Sequence, residues 1–141
     1  MESSMECFNR IHGMLADDYL KTRSYHGFCR LVAARMSESL LDEGKDPYIA
    51  KFSGNMHENG TVRSETLVPL PYEGNASWTE HFVCCADEMA YDPIISMPVP
   101  LKHYSTMLFG EDVQMTVDVP QNKIQEFVRK KRHDYSKAWI I

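Results

Sequence analysis

The stretch from Trp78 to Pro93 constrains the fold more than any other part of the chain. Trp78 to Ala86 reads as a central strand, Asp87-Glu88 as a turn, and Met89 to Asp92 as a short partner that Pro93 stops. A hairpin this tight commits the chain to an antiparallel sheet. With a two-residue turn, Ala86 faces Met89, Cys85 faces Ala90, Cys84 faces Tyr91 and Val83 faces Asp92. Opposed residues share a sheet face, and so do alternate residues along one strand. His81 therefore falls on the face of Val83 and Asp92, and His81 and Asp92 become diagonal neighbours, roughly 5–7 Å apart at the backbone. One extra residue in the turn would put them on opposite faces.

The second informative stretch is Tyr25 to Met36. Residues 27–43 read as the best helix of the chain, with Phe28, Leu31, Val32, Met36 and Leu40 on one side and Ser39 at its margin. Ala33 and Ala34 allow close packing on a sheet. Ser24 or Gly27 would cap the start, and Asp42-Glu43-Gly44 the end. Gly27 would let the backbone turn sharply just before Cys29. The cysteine then lies at the helix start, where unpaired N–H groups and the helix field favour a thiolate. The same N–H groups could stabilise an oxyanion after attack.

The other elements follow in order. Residues 6–20 read as a helix with Phe8, Ile11, Leu15 and Tyr19 on one face, and 21–24 as a polar break. Residues 48–52 and 61–68 read as strands, separated and followed by Gly- and Pro-rich loops at 53–60 and 69–77. Pro98 and Pro100 predict an irregular segment, 101–109 a short helix closed by Gly110, and 113–119 a strand with one solvated face. Pro120 to His133 reads as a terminal helix with Ile124, Phe127 and Val128 as its apolar stripe. The order suggests one α+β domain over 1–141, with 1–24 as a helical lead-in and 120–141 as a C-terminal helix and tail.

Cys29, His81 and Asp92 together suggest a site in which His81 takes the thiol proton and Asp92 orients the ring. Each has a plainer reading: a buried space-filling thiol, a satisfied core or edge histidine, and an Asp-Pro turn. A metal site competes, but Cys84 and Cys85 point to opposite faces, and the chain has no CxxC or HxxxH spacing. His26 reads as a surface or capping group, and His12, His57, His103 and His133 have no fixed partner. Arg23 reads as a solvated loop arginine or a group for a substrate carboxylate. Trp78 reads as core or as the wall of a cleft.

A chain of 141 residues with 43% apolar and 25% charged residues suits a single globular domain. The formal charge of −5 gives no reason to expect nucleic acid or an anionic membrane as partner. The basic run at 129–132 fits the C-terminal end of a helix, where positive charge is favourable. The acidic start lacks the pattern of a signal peptide, and no apolar run approaches a membrane span, so the cytoplasm is the default expectation. The irregularly spaced Cys7, Cys29, Cys84 and Cys85 are expected as free thiols.

Gly27-Phe-Cys29-Arg-Leu-Val-Ala33, the helix to Gly44, and Pro47-Tyr-Ile resemble the start of transglutaminase-like domains. His81-Phe-Val and Tyr91-Asp92-Pro93 resemble the second and third motifs of that family, which belongs to the papain-like cysteine hydrolases. The resemblance implies a papain-like fold, with a cysteine-bearing helix packed on an antiparallel sheet. It implies Cys29 as nucleophile, His81 as base and Asp92 as orienter. The chemistry implied is hydrolysis or acyl transfer at peptide, isopeptide or glutamine amide bonds, with no cofactor. Arg23 stands where papain carries its oxyanion glutamine. The competing expectation is a non-enzymatic protein-interaction domain on the same fold. Oligomerisation through an edge strand such as 113–119 is compatible with either.

Overall fold

The computed structural model describes residues 2–17, 25–53, 67, 69–70 and 78–136, and for 16–17 and 25–28 the backbone alone. It is a mixed α+β fold in which helices pack against a five-stranded antiparallel sheet. The helices are α1 (Ser4–Asp17), α2 (Tyr25–Asp42), α3 (Leu101–Phe109) and α4 (Ile124–Asp134). The strands are β1 (Tyr48–Ser53), β2 (Glu80–Ala86), β3 (Met89–Tyr91), β4 (Val99–Pro100) and β5 (Gln114–Val119), in the spatial order β4-β3-β2-β1-β5.

Helix α1 begins two residues earlier than its apolar periodicity predicts, because Ser3 and Glu6 form a reciprocal cap. The Glu6 N–H donates to Ser3 Oγ, and the Ser3 N–H to Glu6 Oε1, each at 3.1 Å. Its buried face is Cys7, Phe8, Ile11 and Leu15. Tyr19 and the break at 21–24 lie outside the described residues.

Helix α2 is the centre of the molecule. It touches α1, β1, β2 and α4, so it buries Cys29, Val32, Ala33, Ala34, Met36, Ser37, Ser39 and Leu40 rather than a single stripe. Leu31 is only partly covered. The helix ends as expected. Gly44 sits at φ 78°, its N–H bonds to the Leu41 carbonyl, and the Lys45 N–H reaches back to Leu40 at 2.9 Å. These two bonds are the Schellman closure that glycine permits.

The hairpin has the predicted register, with Ala86 opposite Met89, Cys85 opposite Ala90 and Cys84 opposite Tyr91. Its turn residues, Asp87 and Glu88, both have positive φ (52° and 64°), the conformation of a type I′ turn. On its other side β2 pairs with β1, so that Val83 meets Ala50 and His81 meets Phe52. Helix α2 covers the face carrying Phe82 and Cys84: Ser37 Oγ donates to Cys84 Sγ at 3.2 Å, and the Arg30 guanidinium lies 5.6 Å over Phe82. Helix α3 covers the other face, with Tyr104 packed 5.1 Å from Phe52.

Two expectations need correction. The segment with Pro98 and Pro100 is not wholly irregular: Val99-Pro100 form β4, a two-residue edge strand on β3. Proline is tolerated there because an edge strand has one row of unpaired donors anyway. Strand β5 forms where the alternation predicts a strand and pairs with β1, but Met115 and Val117 stay exposed (38% and 54%) while Val113 and Val119 are buried. Alternation fixes which residues share a face; it does not say whether another layer covers that face. The predicted strand at 61–68 is described only at Leu67, which bridges Trp78. Loops 53–60 and 69–77 also fall almost wholly outside the described residues. Among the described residues no helix is long and apolar enough to cross a membrane.

Candidate active site

Cys29 comes from α2, the hairpin supplies His81 from β2, and Asp92 follows the last residue of β3. His81 Nε2 lies 2.7 Å from Asp92 Oδ2. The cross-strand arithmetic accounts for this. The two-residue turn puts the residues on one face, and an imidazole spans the diagonal gap to a carboxylate. His81 is the second residue of β2, at the end of the strand away from the hairpin turn. There the Cys29 thiol lies against the imidazole, where its hydrogen bonding and its charge both favour the protonated ring.

The helix start differs from the expected one. Helix α2 begins at Tyr25, so Gly27 lies inside its first turn and provides neither a cap nor a sharp bend. A glycine costs about 1 kcal/mol within a helix, which burial of the apolar face beyond it easily outweighs. Cys29 is thus one step past the open N–H groups of the first turn. Its Cα–Cβ bond still leans back toward them, because helical side chains tilt toward the N-terminus.

Asp92 is held from three directions. His81 Nε2–H and the Tyr104 hydroxyl both donate to Oδ2, and the Ile94 N–H donates to Oδ1 at 3.2 Å. The last bond is the side-chain-to-backbone turn typical of aspartate, so the turn reading and the site reading of Asp92 hold together. Trp78 stacks on His81 at 4.4 Å and 17°, and Phe109 meets both rings edge-on. The indole face favours a cation beside it. Trp78 is also 1% exposed, so it is both core and site wall.

Electrostatics favour a charged pair. Burial works against an imidazolium at His81, but the charge and hydrogen bond of Asp92, with those of Cys29, raise it to about 10. Burial likewise works against a carboxylate at Asp92, and is outweighed by the His81 charge and by bonds from His81, Tyr104 and Ile94, which hold it below its usual value. Burial pushes the Cys7 thiol up, Cys84 up to about 12, and Cys85 higher still. All four cysteines are buried thiols outside any disulfide.

The three side chains are enclosed: Cys29 is 1%, His81 0% and Asp92 1% exposed. A groove of about 1050 Å³ lies elsewhere, lined by Asp46, Tyr48, Asp87, Glu88 and Leu101. It flanks the hairpin turn, at the opposite end of β2 from His81, and takes no part in this site. Among the described residues no group of three His, Cys, Asp or Glu side chains is placed to hold a metal ion.

The other singled-out residues have separate places. His12 Nδ1 donates to the Pro93 carbonyl at 2.8 Å, fastening α1 to the residue after Asp92. His103 and His133 are exposed. Arg23 and His57 lie outside the described residues, as does the side chain of His26. In the basic run, Arg132 pairs with Glu38 at 2.5 Å, and Lys131 sits over Phe127 and Tyr135. Sequence reasoning missed Tyr104 and Phe109. Helical periodicity marks both as core positions, but nothing in it says where a tyrosine hydroxyl ends.

No protein-family model matches the chain, and comparisons with curated proteins and with solved structures give no match.

Proposed function

We propose that the protein is a papain-like thiol hydrolase or acyl transferase acting on amide bonds through Cys29, His81 and Asp92. The observation that carries this reading is the His81–Asp92 bond of 2.7 Å with the Cys29 thiol against the same imidazole. Asp92 occupies Nε2, so Nδ1 is the nitrogen through which Cys29 and His81 exchange a proton. Transfer of the thiol proton to His81 gives a thiolate beside an imidazolium. The thiolate attacks the carbonyl carbon and a C–S bond forms. Collapse of the tetrahedral adduct breaks the C–N bond, and His81 gives its proton to the departing amine. Water or an acceptor amine then loses a proton to His81 as it attacks the thioester, and the thiolate leaves. Asp92 holds the ring tautomer and balances its positive charge throughout.

Peptide, isopeptide and glutamine amide bonds all suit this chemistry. The test is a screen of activated esters, glutamine peptides and amine acceptors with the wild type and Cys29→Ala. Turnover should vanish in the variant while the circular dichroism spectrum is kept. Turnover surviving in Cys29→Ala would refute the reading.

One observation favours a second reading. The near-complete burial of all three side chains suits a structural network in a protein-interaction domain. That reading predicts no alkylation of Cys29 in the folded protein and no acyl-enzyme with any ester.

A further inference from the structure

We infer that Tyr104 is a positioning residue for the His81–Asp92 pair, its hydroxyl holding the carboxylate oxygen that in turn holds the imidazole. The inference deepens the acyl-transfer reading and rests on it for its consequence in turnover, but its geometry stands without that reading.

Asp92 follows the last paired residue of β3 and precedes Pro93, so ladder hydrogen bonds do not fix its backbone. What fixes its side chain is the set of donors around it. The Ile94 N–H takes Oδ1, while His81 Nε2–H and the Tyr104 O–H converge on Oδ2. Donors on both oxygens leave the carboxylate one orientation.

Tyr104 is itself well placed to act as a fixed point. It is fully buried on α3, a helix tied at both ends. The Leu101 N–H donates to the Glu88 carbonyl of the hairpin turn at 2.8 Å, and Gly110, at φ 78°, closes the last turn onto Thr106. The Tyr104 ring lies on Phe52, which is the β1 residue opposite His81. A phenylalanine would fill the same space. A buried tyrosine brings a hydroxyl that has to be satisfied, and here it is spent on the charged member of the pair.

A purely packing role and a positioning role differ in what they do to charge. A donor on a carboxylate favours its ionised form, so removing the donor makes Asp92 easier to protonate. Among the described residues, the titratable groups facing the pair are Cys29 from α2, Cys85 from β2 and Tyr104 from α3. Of these, Tyr104 donates to Oδ2.

The experiment follows the His81 ring by nitrogen-15 NMR of the full chain as the pH falls. In Tyr104→Phe the acid edge at which the His81–Asp92 bond is lost should move up by about 0.5–1 pH unit. With 3-fluorotyrosine at position 104, which keeps the hydroxyl and makes it a stronger donor, it should move down. Phe52→Leu loosens the packing around Tyr104 without removing the donor and should leave the edge in place. An unchanged edge in both Tyr104→Phe and the fluorotyrosine protein would make Tyr104 a packing residue. Should Tyr104→Phe fail to fold, the fluorotyrosine protein decides alone. The two proposals fail separately. A moved edge with an unreactive Cys29 keeps Tyr104 and removes acyl transfer, and a reactive Cys29 with an unmoved edge does the reverse.

Discussion

His81 Nε2 lies 2.7 Å from Asp92 Oδ2, and both side chains are shut off from solvent. A turn of two residues between two strands sets this contact, since one residue more would send Asp92 to the opposite face. Beside the pair lies Cys29, carried by the helix that touches α1, β1, β2 and α4. The charged state of the pair follows from mutual stabilisation strong enough to outweigh burial.

Breaking that pair from one side should be costly. Asp92→Ala leaves an imidazole buried without its counter-charge and should destabilise the protein by about 3–5 kcal/mol. Urea unfolding of wild type, His81→Ala, Asp92→Ala and the double variant gives the coupling. The double variant should lose much less than the sum of the two singles. Additive losses would mean that the two residues do not interact.

The same pair predicts a pH window. His81 is raised from 6.5 to about 10 in the folded protein. Its contribution is fully present below about pH 6.5 and is lost as the pH climbs toward 10. Asp92 is lowered from 3.8, so its contribution is present above that value and is lost as the pH falls. The stability difference between wild type and His81→Gln should therefore plateau between roughly pH 4 and 6.5 and shrink on both sides. A difference that grew from pH 7 to 10 would contradict the charged pair.

The turn offers a test in the stabilising direction. Glu88 has φ 64°, a conformation that costs an ordinary residue about 1–2 kcal/mol and glycine nothing. Glycine returns about 0.5–1 kcal/mol of that through the greater freedom of its unfolded chain. Glu88→Gly should raise the unfolding free energy by about 0.5–1 kcal/mol while leaving the His81–Asp92 contact in place. Loss of stability in Glu88→Gly would mean that the Glu88 side chain has a role the turn geometry does not reveal.

Local chemistry made much of this legible in the sequence. The hairpin register follows from turn length and strand alternation, which are local. So do the Gly44 and Gly110 helix ends, because a left-handed residue after an apolar run has few other uses. The start of α2 was less legible: Gly27 reads as a boundary, yet the helix runs through it from Tyr25, since tertiary packing overrides a single weak propensity. The exposure of Met115 and Val117 could not be read either, because it depends on what covers β5 and on nothing within the strand. Tyr104 was the largest omission at the site. Its link to Asp92 crosses from helix to hairpin, and no spacing rule connects those two positions.

The central claim is that Cys29 is activated by His81, and selective alkylation tests it most directly. Wild type and His81→Gln, both shown to be folded, would be treated with iodoacetamide from pH 6 to 9 and each cysteine followed by mass spectrometry. Burial pushes the thiols of Cys7, Cys84 and Cys85 up; proton exchange with His81 should make Cys29 the first to be modified in the wild type, and that preference should disappear in His81→Gln. Cys29 reacting no faster than Cys84, or equally fast without His81, would contradict the account and leave the thiol as packing.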